Sequence, residues 1–107
     1  MKTPLSNAQR LDRIVTEAEL QDFVREAAEV LGWTYHHETD SRRSTPGLPD
    51  CILARPPRVI FSELKTELGR TSKAQEHWLE QLRQCPGVEV YLWRPSDMNH
   101  ILEVLAR

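Results

Sequence analysis

The run Val59-Ile60-Phe61-Ser62-Glu63-Leu64-Lys65 constrains this chain more than any other. β-Branched and aromatic residues follow the turn signal Arg55-Pro56-Pro57-Arg58, which reads as a strand entered from a tight connection. Side chains on a strand alternate between faces, so Val59, Phe61, Glu63 and Lys65 share one face and Ile60, Ser62 and Leu64 the other. The first set ends in a carboxylate and an ammonium where apolar residues would be expected. Such a strand needs neighbours, and three other short runs offer them: Trp33 to His37, Asp50 to Ala54, and Val88 to Trp93.

The segments between these runs read as helices and turns. Residues 1–15 are polar and mixed, which predicts a loose N-terminal arm with at most one helical turn. Thr16 with Glu19 forms a capping box. Leu20, Phe23, Val24, Ala27 and Leu31 then make an amphipathic stripe that Gly32 ends. Residues 38–49, with Pro46, Gly47 and Pro49, are a loop by composition. A second helix starts near Ser72, with Trp78, Leu79 and Leu82 as its buried stripe, and Pro86-Gly87 closes it. Pro95-Ser96 opens a last helix with Met98, Ile101, Leu102 and Leu105 as its apolar face. The predicted order over residues 16–107 is αβββαβα, an α/β domain with a mixed central sheet flanked by helices.

Charge is uneven along the chain. The net charge is −2, which argues against a protein that coats nucleic acid. From Glu17 to Asp40 there are seven acids and one base, whereas Ser41 to Gln75 carries seven bases against three acids. A basic segment in an acidic chain fits local contact with a polyanion, although solvated arginines give the same count. Cys51 and Cys85 have no paired spacing, and free thiols are expected. No stretch approaches the roughly 20 apolar residues of a membrane span. A soluble, cytoplasmic chain with no membrane partner is therefore expected.

The chemistry concentrates at Asp50, Glu63 and Lys65. Asp50 begins the strand joined through the Pro-Pro turn to the strand of Glu63, so two carboxylates and an ammonium converge. A hard divalent cation such as Mg²⁺ takes one or two carboxylates plus waters and a phosphate. Asp50 and Glu63 supply the carboxylates, and Lys65 lies near a metal-activated water and a scissile phosphate. Taken alone, Glu63-Leu64-Lys65 reads equally well as a solvated pair on an exposed face. Gly47-Leu48-Pro49-Asp50 at hairpin distance favours a site.

Together these pieces resemble the PD-(D/E)xK nuclease superfamily, and within it the small stand-alone VRR-NUC proteins of bacteria and phages. The matching residues are Glu17-x-x-Leu20-Gln21, Gly32-Trp33 with His36, Gly47-Leu48-Pro49-Asp50, Glu63-Leu64-Lys65, Ser72-x-x-Gln75, and Trp93-Arg94-Pro95-Ser96-Asp97. They extend from Thr16 to about Leu105, so no separate DNA-binding domain is expected. Cys51 departs from the pattern, where an aliphatic residue is usual. The resemblance implies a restriction-endonuclease-like fold and Mg²⁺-dependent DNA cleavage, with Mn²⁺ as a substitute metal. It also implies a homodimer acting on branched or double-stranded DNA. Residue by residue, it implies metal roles for Asp50, Glu63, the Leu64 carbonyl and Glu17, and a catalytic role for Lys65.

Several residues carry two readings. Glu17 flanks the apolar stripe of its helix, whereas Glu19, Asp22 and Glu26 face away. It is either the helix acid of the site or a first-turn acid placed for the helix dipole. Gln75 is either the second half of a Ser72 capping box or a site residue on the sheet-facing stripe; the site role is favoured. Arg42, Arg43, His36 and Lys73 are the candidate DNA contacts, against the reading of solvated polar residues. Trp33, Trp78 and Trp93 are expected in the core. The rival to a nuclease is an inactive nucleic-acid-binding or assembly module of the same fold.

Overall fold

The computed structural model describes residues 3–38 and 45–107. In chain order its elements are α1 (Asn7–Ile14), α2 (Glu17–Val30), β1 (Thr34–His37), β2 (Cys51–Arg55), β3 (Arg58–Leu64), α3 (Lys73–Arg83), β4 (Val88–Trp93) and α4 (Met98–Ala106). A short 3-10 turn, Pro95–Asp97, leads into α4. The strands form one mixed sheet in the order β1-β2-β3-β4. β1, β2 and β3 run antiparallel through short connections, and β4 lies parallel to β3. That reversal requires a crossover, which α3 supplies.

The succession expected from Thr16 onward is present from α2 to α4, but it is not the whole order. The N-terminal segment expected as a loose arm contains α1. Its start is a capping box: Ser6 Oγ accepts from the Gln9 N–H at 3.1 Å, and Gln9 Oε1 accepts from the Ser6 N–H at 2.8 Å. None of its residues is buried, so no core-facing stripe announces it. It is tied down where Asp12 Oδ1 accepts from the Leu68 N–H at 2.8 Å.

Alternation along β3 sorts the two sheet faces. Ile60, Ser62 and Leu64 are buried, as are Cys51 and Leu53 beside them and Trp93 on β4. On this face lie α2, through Leu20, Val24, Ala27 and Ala28, and α4, through Ile101, Val104 and Leu105. The stripe of α4 is thus centred on Ile101, Val104 and Leu105, and Leu102, expected inside, lies exposed at its margin. α3 crosses the opposite face, the one that carries Glu63.

Two of the arginines in the basic segment serve this framework. Arg55 and Arg58 both lie over the Trp33 ring, at 4.5 and 4.8 Å from its centroid. Arg55 Nη1 donates to the carbonyls of Leu31 and Leu105 at 2.9 and 3.0 Å, which holds the ends of α2 and α4. Arg58 makes a two-pronged pair with Glu89, both contacts at 2.7 Å. The positive charge of residues 41–75 is therefore not a single patch, because these two side chains are committed to internal partners.

Candidate active site

The ladder between β2 and β3 pairs Cys51 with Ser62, so the next step brings Asp50 beside Glu63. The Asp50 backbone is pinned from β1, where the Glu38 N–H donates to its carbonyl at 2.9 Å. Its side-chain Oδ2 accepts from the Leu64 N–H at 2.9 Å, which fixes the carboxylate against β3. Glu63 is only 1% exposed. Its Oε1 accepts from Gln75 Nε2 at 3.1 Å and lies 3.7 Å from Lys65 Nζ. Among the described residues no donor faces its buried Oε2.

Burial, then the hydrogen bond and charge of Asp50, push the Glu63 carboxyl up to about 8, with Lys65 pulling partly the other way. Two carboxylates this close bond only through a shared proton or a cation. Glu17, the first residue of α2, feels the same cluster. Partial burial and the Asp50 charge raise its pKa, opposed by Lys65.

Gln75 reconciles the two roles weighed for it. Its Oε1 accepts from the Ser72 N–H at 2.8 Å, while Ser72 Oγ accepts from the Gln75 N–H at 3.1 Å. The amide is thereby held with Nε2 toward Glu63. One side chain both caps α3 and orients the carboxylate. Gly47 makes this approach possible from the other side. A Cβ there would stand 2.3 Å from the Ala74 carbonyl carbon, and its φ of +85° suits glycine alone.

The peptide after Leu64 is also oriented. The Lys65 N–H donates to the Trp93 carbonyl on β4 at 3.0 Å. In a trans peptide the Leu64 carbonyl must point the opposite way, toward the β2 edge and Asp50. Asp50, Glu63 and this carbonyl form an all-oxygen set, which fits a hard cation that keeps several waters. The orphaned Glu63 Oε2 is the atom such a cation would satisfy. Glu17 lies close enough to the cluster to feel the charges of both Asp50 and Lys65.

The remaining candidates lie farther out. His36 is exposed on β1, on the sheet face of Asp50 by register, and Lys73 is exposed in the first turn of α3. Arg42 and Arg43 lie outside the described residues. Trp33 and Trp93 are buried as expected, but Trp78 is only half-buried and lines an open groove. Arg94 had no role assigned from sequence. Its Nη1 donates to the carbonyls of Thr66, Glu67 and Gly69 at 2.8, 3.1 and 2.7 Å, fixing the turn that follows Lys65. A single arginine before Pro-Ser-Asp carries no composition or spacing signal of such a role.

The family model of the VRR-NUC domain matches residues 4–96. The chain belongs to the VRR-NUC domain family. The matched span begins ahead of α1, so this helix falls within the VRR-NUC match and not outside it. A solved structure titled "VRR_NUC domain" shares the fold, with a TM-score of 0.66 and 22% identity. The alignment covers 81% of this chain and 94% of that one. No curated protein matches the chain significantly. The VRR-NUC assignment brings a nuclease-like fold, and Asp50, Glu63, Lys65 and Gln75 lie together within the matched span.

Proposed function

We propose that this VRR-NUC chain is a Mg²⁺-dependent endonuclease of PD-(D/E)xK type that hydrolyses phosphodiester bonds in DNA. The observation that carries the reading is Glu63, buried beside a partly exposed Asp50, with no donor facing its Oε2 among the described residues and Lys65 alongside. A structural ion pair would leave no buried carboxylate oxygen orphaned.

Asp50, Glu63 and the Leu64 carbonyl would hold Mg²⁺, and Glu17 would reach it through water. When bound there, the metal supplies Lewis acidity toward the phosphate and lowers the pKa of a water. Asp50 keeps the Glu63–Leu64 peptide in place through its bond to the Leu64 N–H. Gln75 holds Glu63 in a single orientation. Lys65 is poised to orient the attacking water and to offset the charge that develops on the phosphorus oxygens. Arg94 positions Lys65 by bracing the turn after it.

The substrate is branched or double-stranded DNA, and two copies of the chain would present two sites to it. Incubation of labelled duplex, flap, splayed-arm and four-way-junction DNA with Mg²⁺ or EDTA tests the activity. Cleavage with Mg²⁺ and none with EDTA is the expected outcome, with Mn²⁺ restoring it. Binding without cleavage under any of these conditions leaves a nucleic-acid-binding module instead. Sedimentation tests the second claim, and a monomer both free and bound to DNA would remove it.

A further inference from the structure

The groove beside the carboxylate cluster is walled by Thr45 and Pro46 on one side and by Ala74, His77, Trp78 and Gln81 of α3 on the other. Its volume is about 400 Å³, within the range of clefts that hold small planar ligands. The four α3 residues recur at helical spacing, so they form one face of the helix, next to the face that carries Gln75 and Leu79. Among the described residues no acid lines the groove, although acids are frequent elsewhere on this chain.

Both walls continue directly into the site. Thr45 and Pro46 lead through Gly47, Leu48 and Pro49 to Asp50, and Ala74 and Trp78 flank Gln75, which holds Glu63. The contact of Gly47 with Ala74 joins the two walls at their base. A strand whose phosphate sits between Asp50 and Lys65 therefore has this groove as an immediate neighbour. A groove of about 400 Å³ has room for a single base turned out of the stack. A half-buried tryptophan offers that base a fixed aromatic face.

We infer that this groove holds one unpaired nucleobase, next to the cleaved phosphate, stacked on Trp78. The inference rests on the nuclease reading and makes it specific: the preferred substrate has an unpaired nucleotide at the cut, as in a flap or splayed arm.

Trp33 and Trp93 are 5% and 1% exposed, so quenching of tryptophan fluorescence by a bound base reports chiefly on Trp78. The full chain in EDTA is titrated with a short oligothymidylate and with an abasic strand of equal length. The oligothymidylate should quench and the abasic strand should not. Quenching by both, or by neither, overturns the inference.

Affinity for flapped and for blunt duplex DNA is then compared in Trp78→Leu and Trp78→Phe. Leucine keeps apolar packing and removes the aromatic face. It should weaken flap binding roughly 5- to 100-fold, the range of one base stack, and leave duplex binding unchanged. Phenylalanine should restore flap binding. Equal losses on both substrates, or no loss, return Trp78 to a packing role. The nuclease reading fails separately, if the unaltered chain with Mg²⁺ cuts no DNA, and that outcome does not affect the fluorescence result.

Discussion

Gln75 and Glu63 are joined by a hydrogen bond of 3.1 Å between an amide that caps a helix and a carboxylate buried in a sheet. Gln75→Glu keeps an acceptor for the Ser72 N–H but sets a third carboxylate against Glu63. Metal-free stability at pH 8 should fall, and cleavage with it. Gln75→Ala keeps Ser72 as the N-cap but loses the return bond to the Ser72 N–H, worth about 0.5–1.5 kcal/mol, and frees Glu63 to turn. Urea unfolding and cleavage assays on both variants check this. A Gln75→Ala protein with unchanged cleavage would reduce Gln75 to a cap.

Asp50 and Lys65 should separate binding from chemistry. Asp50→Asn keeps the shape but removes a charge and a metal ligand, so cleavage should fall by several orders of magnitude. In EDTA it should bind DNA as well as the parent or better, because repulsion of phosphate is reduced. Lys65→Met should also abolish cleavage, yet weaken metal-free binding. Electrophoretic shifts in EDTA measure the two signs, and wild-type cleavage by Asp50→Asn would remove the proposed site.

The metal-free protein should lose stability as pH rises. Glu63 has its folded pKa raised from an ordinary 4.5 to about 8, so its contribution is complete below 4.5 and disappears as pH passes through 8. For one proton the slope is at most about 1.4 kcal/mol per pH unit. Glu17 shifts the same way. Mg²⁺ should flatten the trend by replacing the proton between the carboxylates. Melting temperatures from pH 5 to about 8, in EDTA and in Mg²⁺, decide it; a flat profile in EDTA would contradict the crowded pair.

The first turn of α2 should divide its labour. Glu19 caps Thr16, with its Oε1 at 3.2 Å from the Thr16 N–H. Glu19→Ala should mainly cost stability, while Glu17→Gln should mainly cost cleavage. A larger loss of cleavage from Glu19→Ala would mean that Glu17 acts only on the helix dipole.

Much of this arrangement is legible in the sequence because its signals are local. Thr16 with Glu19 and Ser72 with Gln75 are caps read over four positions, and alternation along Val59–Lys65 places Glu63 and Lys65 on one face. What the sequence hides is long-range or lacks a burial signature. α1 buries nothing, so no stripe reveals it. Arg55 and Arg58 count as free charge until Trp33, Glu89 and the end of α4 are seen around them. The apolar Trp78 looks like core because the wall opposite it comes from a loop. Gln75 serves both of its roles because an amide has an acceptor end and a donor end.

The carboxylate cluster has no local version. Asp50 reaches Leu64 across 14 residues and Gln75 reaches Glu63 across 12, and the second contact needs α3 laid over the sheet. A chain that ends before Gln75 lacks the residue that orients Glu63, so the proposed cleavage would wait for α3 to pack on the sheet. Competence arrives in one step with tertiary structure, and in urea the loss of cleavage should coincide with global unfolding, with no inactive folded form preceding it.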